Sequence, residues 1–146
     1  MVQTSEPLSK PAEKEVLGAG ATIESVVAVD PLRFPGWDSL LVRTGESSFF
    51  QGTAWATVLH ETYGHRPVYF CRFNNGSLEE LLPTMEVSNI WTGRRGVSLP
   101  FTDFCPALVR PGFSPRELYE VALAHGRRQR WRYLECRNRQ SFWAMR

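Results

Sequence analysis

An α/β (α+β) fold is what three features of this sequence predict. Strand-like runs and amphipathic stretches alternate in the order β-α-α-β-β-β-α-β. Glycine, proline and Asn-Gly signals punctuate the boundaries between them. The composition, 42% apolar and 22% charged over 146 residues, is that of one globular domain able to bury its own core.

Residues 1–19 are rich in Ser, Pro, Glu and Lys and poor in apolar side chains. They are expected to form an unstructured leader before a domain spanning 20–138. The β-branched run from Ala21 to Val29 predicts a first strand, closed by Asp30-Pro31. Trp37, Leu40 and Leu41 fall at i, i+3 and i+4, which predicts a short helix over 36–43. Trp55, Val58, Leu59 and Tyr63 form the apolar stripe of a second helix, with Thr53 as N-cap and Gly64 as its stop.

A strand comes next over Pro67–Phe73, and Asn74-Asn75-Gly76 is a tight hairpin turn. The returning strand, Leu78 to Val87, carries Pro83, which predicts a bend or bulge there. Gly93 and Gly96 bracket a basic turn, and Val97–Phe101 reads as a short strand. Ser114-Pro115-Arg116-Glu117 has the pattern of a capping box, with Ser114 at the N-cap. Leu118, Val121, Ala122 and His125 then share a helical face, Gly126 ends the helix, and Trp131–Cys136 is the last strand. No internal repeat is visible.

Net charge is +2, but it is unevenly spread. Residues 1–126 hold 10 Lys/Arg against 14 Asp/Glu, whereas residues 127–146 hold 7 Arg against Glu135 alone. Such a segment suits an anionic partner, or is simply the solvated end of a helix and of the chain. Cys71, Cys105 and Cys136 are too few and too widely spaced for a disulfide framework or a zinc pair. No run of apolar residues is long enough for a membrane helix, and no apolar signal core begins the chain, so a cytoplasmic protein is expected.

Two segments carry the most distinctive residues. One is Gly93-Arg94-Arg95-Gly96 with Val97 to Cys105 after it; the other is Tyr63-Gly64-His65-Arg66-Pro67. Asp103 and Cys105 leave the strand end in alternation, so both are expected on one side of a cleft wall, or as a turn cap and a buried thiol. A Cys–Asp pair with no nearby His is not a thiol-nucleophile constellation. His65 can act as an acid or base near neutral pH, or can satisfy backbone groups between helix and strand. His60 sits at exposed helix spacing, and His125 lies near a helix C-terminus, where the dipole favours its charged form.

These two segments, with Trp131-Arg132-Tyr133-Leu134-Glu135, resemble the first half of the FemAB-like acyltransferases over residues 21 to 138. That superfamily attaches amino acids to peptidoglycan precursors and is built from two GNAT-like domains. The resemblance implies a GNAT-like mixed sheet flanked by helices on both faces here, with residues 139–146 leading towards a second domain. The tail contributes Phe142, Trp143 and Met145, which have no obvious home in the first half.

Phe49-Phe50-Gln51-Gly52-Thr53-Ala54-Trp55-Ala56-Thr57-Val58 is similar to the Fem-type start of the second helix. The resemblance implies substrate-binding roles for Gln51, Trp55 and Thr57, together with Arg94, Arg95, Asp103 and Cys105. In members that bind muramyl peptides, the position after Trp-Ala can be a Lys; here it is Thr57, which cannot supply that charge. A GNAT coenzyme A loop reads Arg/Gln-x-x-Gly-x-Gly/Ala and opens a helix. Arg94-Arg95-Gly96 instead leads into a strand, so no coenzyme A, and no other cofactor or metal, is expected.

The implied function is the substrate-side half of an enzyme that transfers an acyl or aminoacyl group to an amine of a cell-wall or surface-polysaccharide precursor. Aminoacyl-tRNA or another acyl ester would be the donor, and no residue stands out as catalytic. The alternative is a noncatalytic binding module or degenerate fragment whose Arg-rich C-terminal part, with Arg127-Arg128-Gln129-Arg130-Trp131-Arg132, contacts RNA or a partner protein.

Overall fold

The structure, a computed structural model, describes residues 24–102, 105 and 107–137. The leader, Asp103 and the tail at 139–146 lie outside the described residues. Two four-stranded ladders form. The first has the order β1 (Val27–Val29), β3 (Tyr69–Asn74), β4 (Ser77–Leu82), β7 (Leu108–Val109), with every pairing antiparallel. The second has the order β2 (Arg66–Pro67), β5 (Met85–Asn89), β6 (Gly93–Val97), β8 (Trp131–Glu135), and its β6–β8 pairing is parallel.

One bent hairpin joins the two ladders. Its register is unbroken from Arg66↔Glu86 through Arg72↔Glu80, and the Val68 N–H donates to the Thr84 carbonyl at 2.9 Å across the junction. Pro83 stands at that junction. It has no N–H to give to the ladder, so the bend falls where the sequence predicted it. At the far end Asn75 and Gly76 take φ values of 49° and 75°, the left-handed pair that a two-residue hairpin loop requires. With each bent arm counted once, the order is the expected β-α-α-β-β-β-α-β, with β7 as one additional short strand.

Helix α1 (Trp37–Thr44) and helix α2 (Thr53–Tyr63) cover one face; helix α3 (Arg116–Arg128) covers the other. Strand alternation divides the core between them. Tyr69, Cys71 and Leu81 pack with Trp37, Leu40 and Leu59. Val68, Phe70 and Leu82 pack with Leu118, Ala122 and Trp131. One ion network is buried among them: Arg72 Nε donates to Glu80 Oε2 at 2.5 Å, and Arg72 also pairs with Glu117 and the Glu24 carbonyl.

Four local expectations are corrected. Gly126 does not end the last helix: it lies buried inside α3, which runs on to Arg128. Thr53 is the first residue of α2 and does not cap it; Gly52 holds the N-cap position, and Asp38 of α1 accepts the Thr53 N–H at 2.9 Å and its hydroxyl. Helix α3 begins after Pro115, and Ser114 makes only a 3.4 Å contact with the Arg116 N–H. The basic segment at Gly93–Val97 is itself strand β6, whereas residues 98–101 form a turn. The strand ends there because its pairing on β5 runs out at Met85↔Val97 and Pro100 cannot donate. Leu99 and Phe101 adopt φ of 41° and 64°, uncommon for bulky side chains.

Candidate functional site at the exit of the second helix

The start of α2, where the sequence placed three site residues, is occupied with its own architecture. Gln51 is buried; its Oε1 accepts the Ser48 N–H at 3.0 Å, and its carbonyl accepts Trp37 Nε1–H at 2.9 Å. The Thr57 hydroxyl donates to the Thr53 carbonyl at 2.8 Å, one turn back. Trp55 packs edge-on to Phe50, centroids 5.4 Å apart, and its buried Nε1 has no partner among the described residues.

The remaining candidates are scattered. Arg94 is exposed on β6, beside Trp131 of β8. Arg95 donates to Thr92 Oγ1 at 3.1 Å. Cys105 is buried, and burial pushes its thiol up to about 12. A thiol so held is protonated at neutral pH and is no nucleophile. Burial likewise raises Cys71 and Cys136. Asp103 lies outside the described residues.

The opposite end of α2 is different. Gly64 stops the helix at φ 68°, its N–H donating to the His60 carbonyl, and the His65 N–H reaches the Leu59 carbonyl. The turn this creates sets Arg66 and Pro67 directly below the helix end. Beside them β1 has already stopped pairing, at Val29↔Tyr69, because the chain turns away at Asp30-Pro31. The hairpin arm at Arg66–Val68 therefore has no strand neighbour on that side among the described residues.

A groove of about 600 Å³ opens along this uncovered edge. Asp30 and Arg33 line it from the turn after β1, His60 from α2, Arg66 and Val68 from the hairpin, and His125 from α3. Two histidines thus approach one sheet edge from helices on opposite faces. The volume suits a small molecule, for which sites span roughly 300–1,000 Å³.

The polar groups differ in readiness. His60 Nδ1 lies 2.9 Å from the His65 carbonyl oxygen. A carbonyl only accepts, so the proton of the neutral ring sits on Nδ1 and Nε2 is the acceptor. His125 is wedged edge-on between Phe70, at 5.4 Å, and Trp131, at 5.3 Å. Its Nε2 is buried without a partner among the described residues. Burial holds this imidazole below its ordinary pKa, helped by Arg128 and Arg66 and opposed by Glu86. The helix dipole, which favours the charged ring, is outweighed.

The wall behind His125 is built by two glycines. A Cβ on Gly96 would stand 2.3 Å from Trp131 Cζ3, and one on Gly126 would stand 2.8 Å from Cε3. Only hydrogen fits at either position, so the indole lies flat against β6 and α3. Trp131 Nε1–H donates to buried Glu86 Oε2 at 2.6 Å, and Glu86 Oε1 lies 3.8 Å from Arg66 Nε. Arg33 Nε is likewise 3.8 Å from Asp30 Oδ2. The groove is therefore lined by two guanidinium groups, one carboxylate and two imidazoles, with His125 Nε2 itself turned out of reach by burial.

His60 and His125 drew little weight in the sequence because each sits at an ordinary helical position. A signal was present: both lie in the last turn or so of a helix that ends in glycine or arginine, and both helices return to the same edge. No group of three or more potential metal ligands occurs among the described residues. No protein-family model, no curated protein and no solved structure matches the chain.

Proposed function

We propose that the chain is a substrate-side module of a FemAB-like acyltransferase, and that the groove between His60 and His125 receives an amine-bearing acceptor. The convergence of Asp30, His60, Arg66 and His125 on one uncovered sheet edge carries this reading. The element order, with α3 crossing between parallel β6 and β8, supports it.

The groove chemistry fits an acceptor with both an amine and an anionic group. Arg33 and Arg66 suit a phosphate or carboxylate as charge-assisted donors. Asp30 and His60 Nε2 accept from an amine or hydroxyl. In the transfer, the amine nitrogen attacks the carbonyl carbon of an acyl ester. A C–N bond forms, the C–O bond breaks, and the amine proton passes to the departing alkoxide. Holding the amine in place is the main contribution asked of this module. Thr57, with its hydroxyl returned to the Thr53 carbonyl, adds nothing to a muramyl-nucleotide site.

Calorimetry tests this with glucosamine 1-phosphate as probe and coenzyme A as control. The amino sugar phosphate is expected to give saturable heat that Arg66→Ala weakens at least tenfold, and coenzyme A none. Saturable heat with coenzyme A, or none with the amino sugar phosphate, overturns the proposal.

A further inference from the structure

The β5–β6 hairpin ends in a three-residue loop, Ile90-Trp91-Thr92, closed by Asn89↔Gly93. Ile90 is 91% exposed and Trp91 84%, among the most exposed large apolar side chains described. The loop has a defined shape: Trp91 N–H donates to Asn89 Oδ1 at 2.8 Å, and Gly93 takes φ 72°. Nothing in the groove or the core uses these two side chains.

Their surroundings are basic. Arg94 pairs in register with Trp131, so the loop lies beside the turn from α3 into β8. Arg132 lies against the backbone of Gly93, its Nε 3.0 Å from where a Cβ would stand. Arg127 and Arg128, the last residues of α3, and Arg130 in the turn after it are all exposed. Residues 88–95 and 127–132 together hold six arginines and no Asp or Glu.

We propose that this end of the molecule docks on the surface of an anionic lipid bilayer, with Ile90 and Trp91 entering the interface and the arginines meeting headgroup phosphates. The combination of apolar tip and basic collar decides the partner. Interfacial membrane elements join buried apolar side chains to cationic flanks, and tryptophan sits at headgroup level. Nucleic acid would use the arginines and could stack on Trp91, but it gives the more exposed Ile90 no role. No described helix is long and apolar enough to cross a membrane, so docking is peripheral.

Co-sedimentation of the full chain with vesicles tests this. One set is phosphatidylcholine alone; the other contains about one third phosphatidylserine. Binding is expected only to the anionic set, and it should weaken as salt rises. The double variant Ile90→Ser, Trp91→Ser should lose at least tenfold in partition. The set Arg94→Gln, Arg130→Asn, Arg132→Gln should lose as much, and the asparagine suits the left-handed φ of 60° at position 130. Unchanged thermal midpoints would show both variants folded. No retention by anionic vesicles overturns the proposal, as does full retention by the Ile90/Trp91 variant. So does binding to a single-stranded RNA oligomer without vesicle binding, which would assign the collar to nucleic acid.

Discussion

The two ends of α2 use the same kinds of residue for opposite purposes. At its start, Gln51, Thr53 and Thr57 are bonded to Ser48, Asp38 and the helix backbone. At its exit, His60 holds the His65 carbonyl through Nδ1 and lines a groove that Arg66 and His125 share. The lesson is that a polar residue in a distinctive motif is as often a fastening as a contact. The difference lies in whether the backbone around it has other partners. The helix start has four N–H groups to satisfy and recruits side chains for them. The exit is satisfied largely by the Gly64 turn, and His60 commits only Nδ1, to the His65 carbonyl, which leaves Nε2 over.

The largest effect that would sharpen this contrast is at Trp37, whose indole donates to the Gln51 carbonyl from inside the core. Trp37→Ala should cost about 3–5 kcal/mol, the range for a buried aromatic. Urea midpoints would measure it, and a change near zero would mean the helix start is not anchored through α1. Asp38→Ala comes next. Removing this cap from a neighbouring helix should cost about 1–2 kcal/mol in the same titration.

Much of the fold was legible in the sequence, for identifiable reasons. The Asn75-Gly76 turn, the stop at Gly64 and the bend at Pro83 each rest on a backbone restriction that the residue type carries everywhere. Strand β6 was misjudged because Gly93 and Gly96 read as turn glycines. Gly96 is glycine for a tertiary reason: the Trp131 indole occupies the space of its side chain from 35 positions away. The groove was hidden for a similar reason. His60 and His125 meet only because α2 and α3 return to the same sheet edge from opposite faces. Spacing places each histidine near a helix end but carries no trace of that encounter.

A smaller effect is expected from pH. His125 is held below its ordinary pKa by burial, then by Arg128, with Arg66 adding to this and Glu86 opposing. His65 is lowered by burial and by Arg95. The unfolded chain, with histidine near about 6.5, binds more protons than the native state just below that pH. Stability from these groups is therefore complete above pH about 6.5 and declines as pH falls below it. Urea midpoints at pH 7.5 and 5.5 should differ in that direction. His125→Phe, which fits between Phe70 and Trp131, should flatten part of the difference. A midpoint that rises on acidification would contradict the sign.

The smallest stability effects should come from two exposed positions. Ser114→Ala should cost below about 0.5 kcal/mol, since its one hydrogen bond among the described residues is 3.4 Å long and solvent-exposed. His60→Ala should change the midpoint by no more than about 0.5 kcal/mol. It should nonetheless weaken binding of glucosamine 1-phosphate at least tenfold. A large loss of stability at His60 would erase the distinction between the two ends of α2.

The chain has three histidines, and they test the groove most directly. His60 and His125 line it, while His65 stacks on Tyr63, centroids 5.6 Å apart, outside the lining. Nitrogen-15 spectra of the imidazole rings should resolve all three and report the protonated nitrogen of each. Before ligand, His60 should carry its proton on Nδ1. On titration with glucosamine 1-phosphate, the His60 and His125 signals should shift together along one saturation curve while His65 moves little. Shifts confined to His65, or none in His60 and His125 at saturating ligand, would contradict a binding groove at the exit of α2.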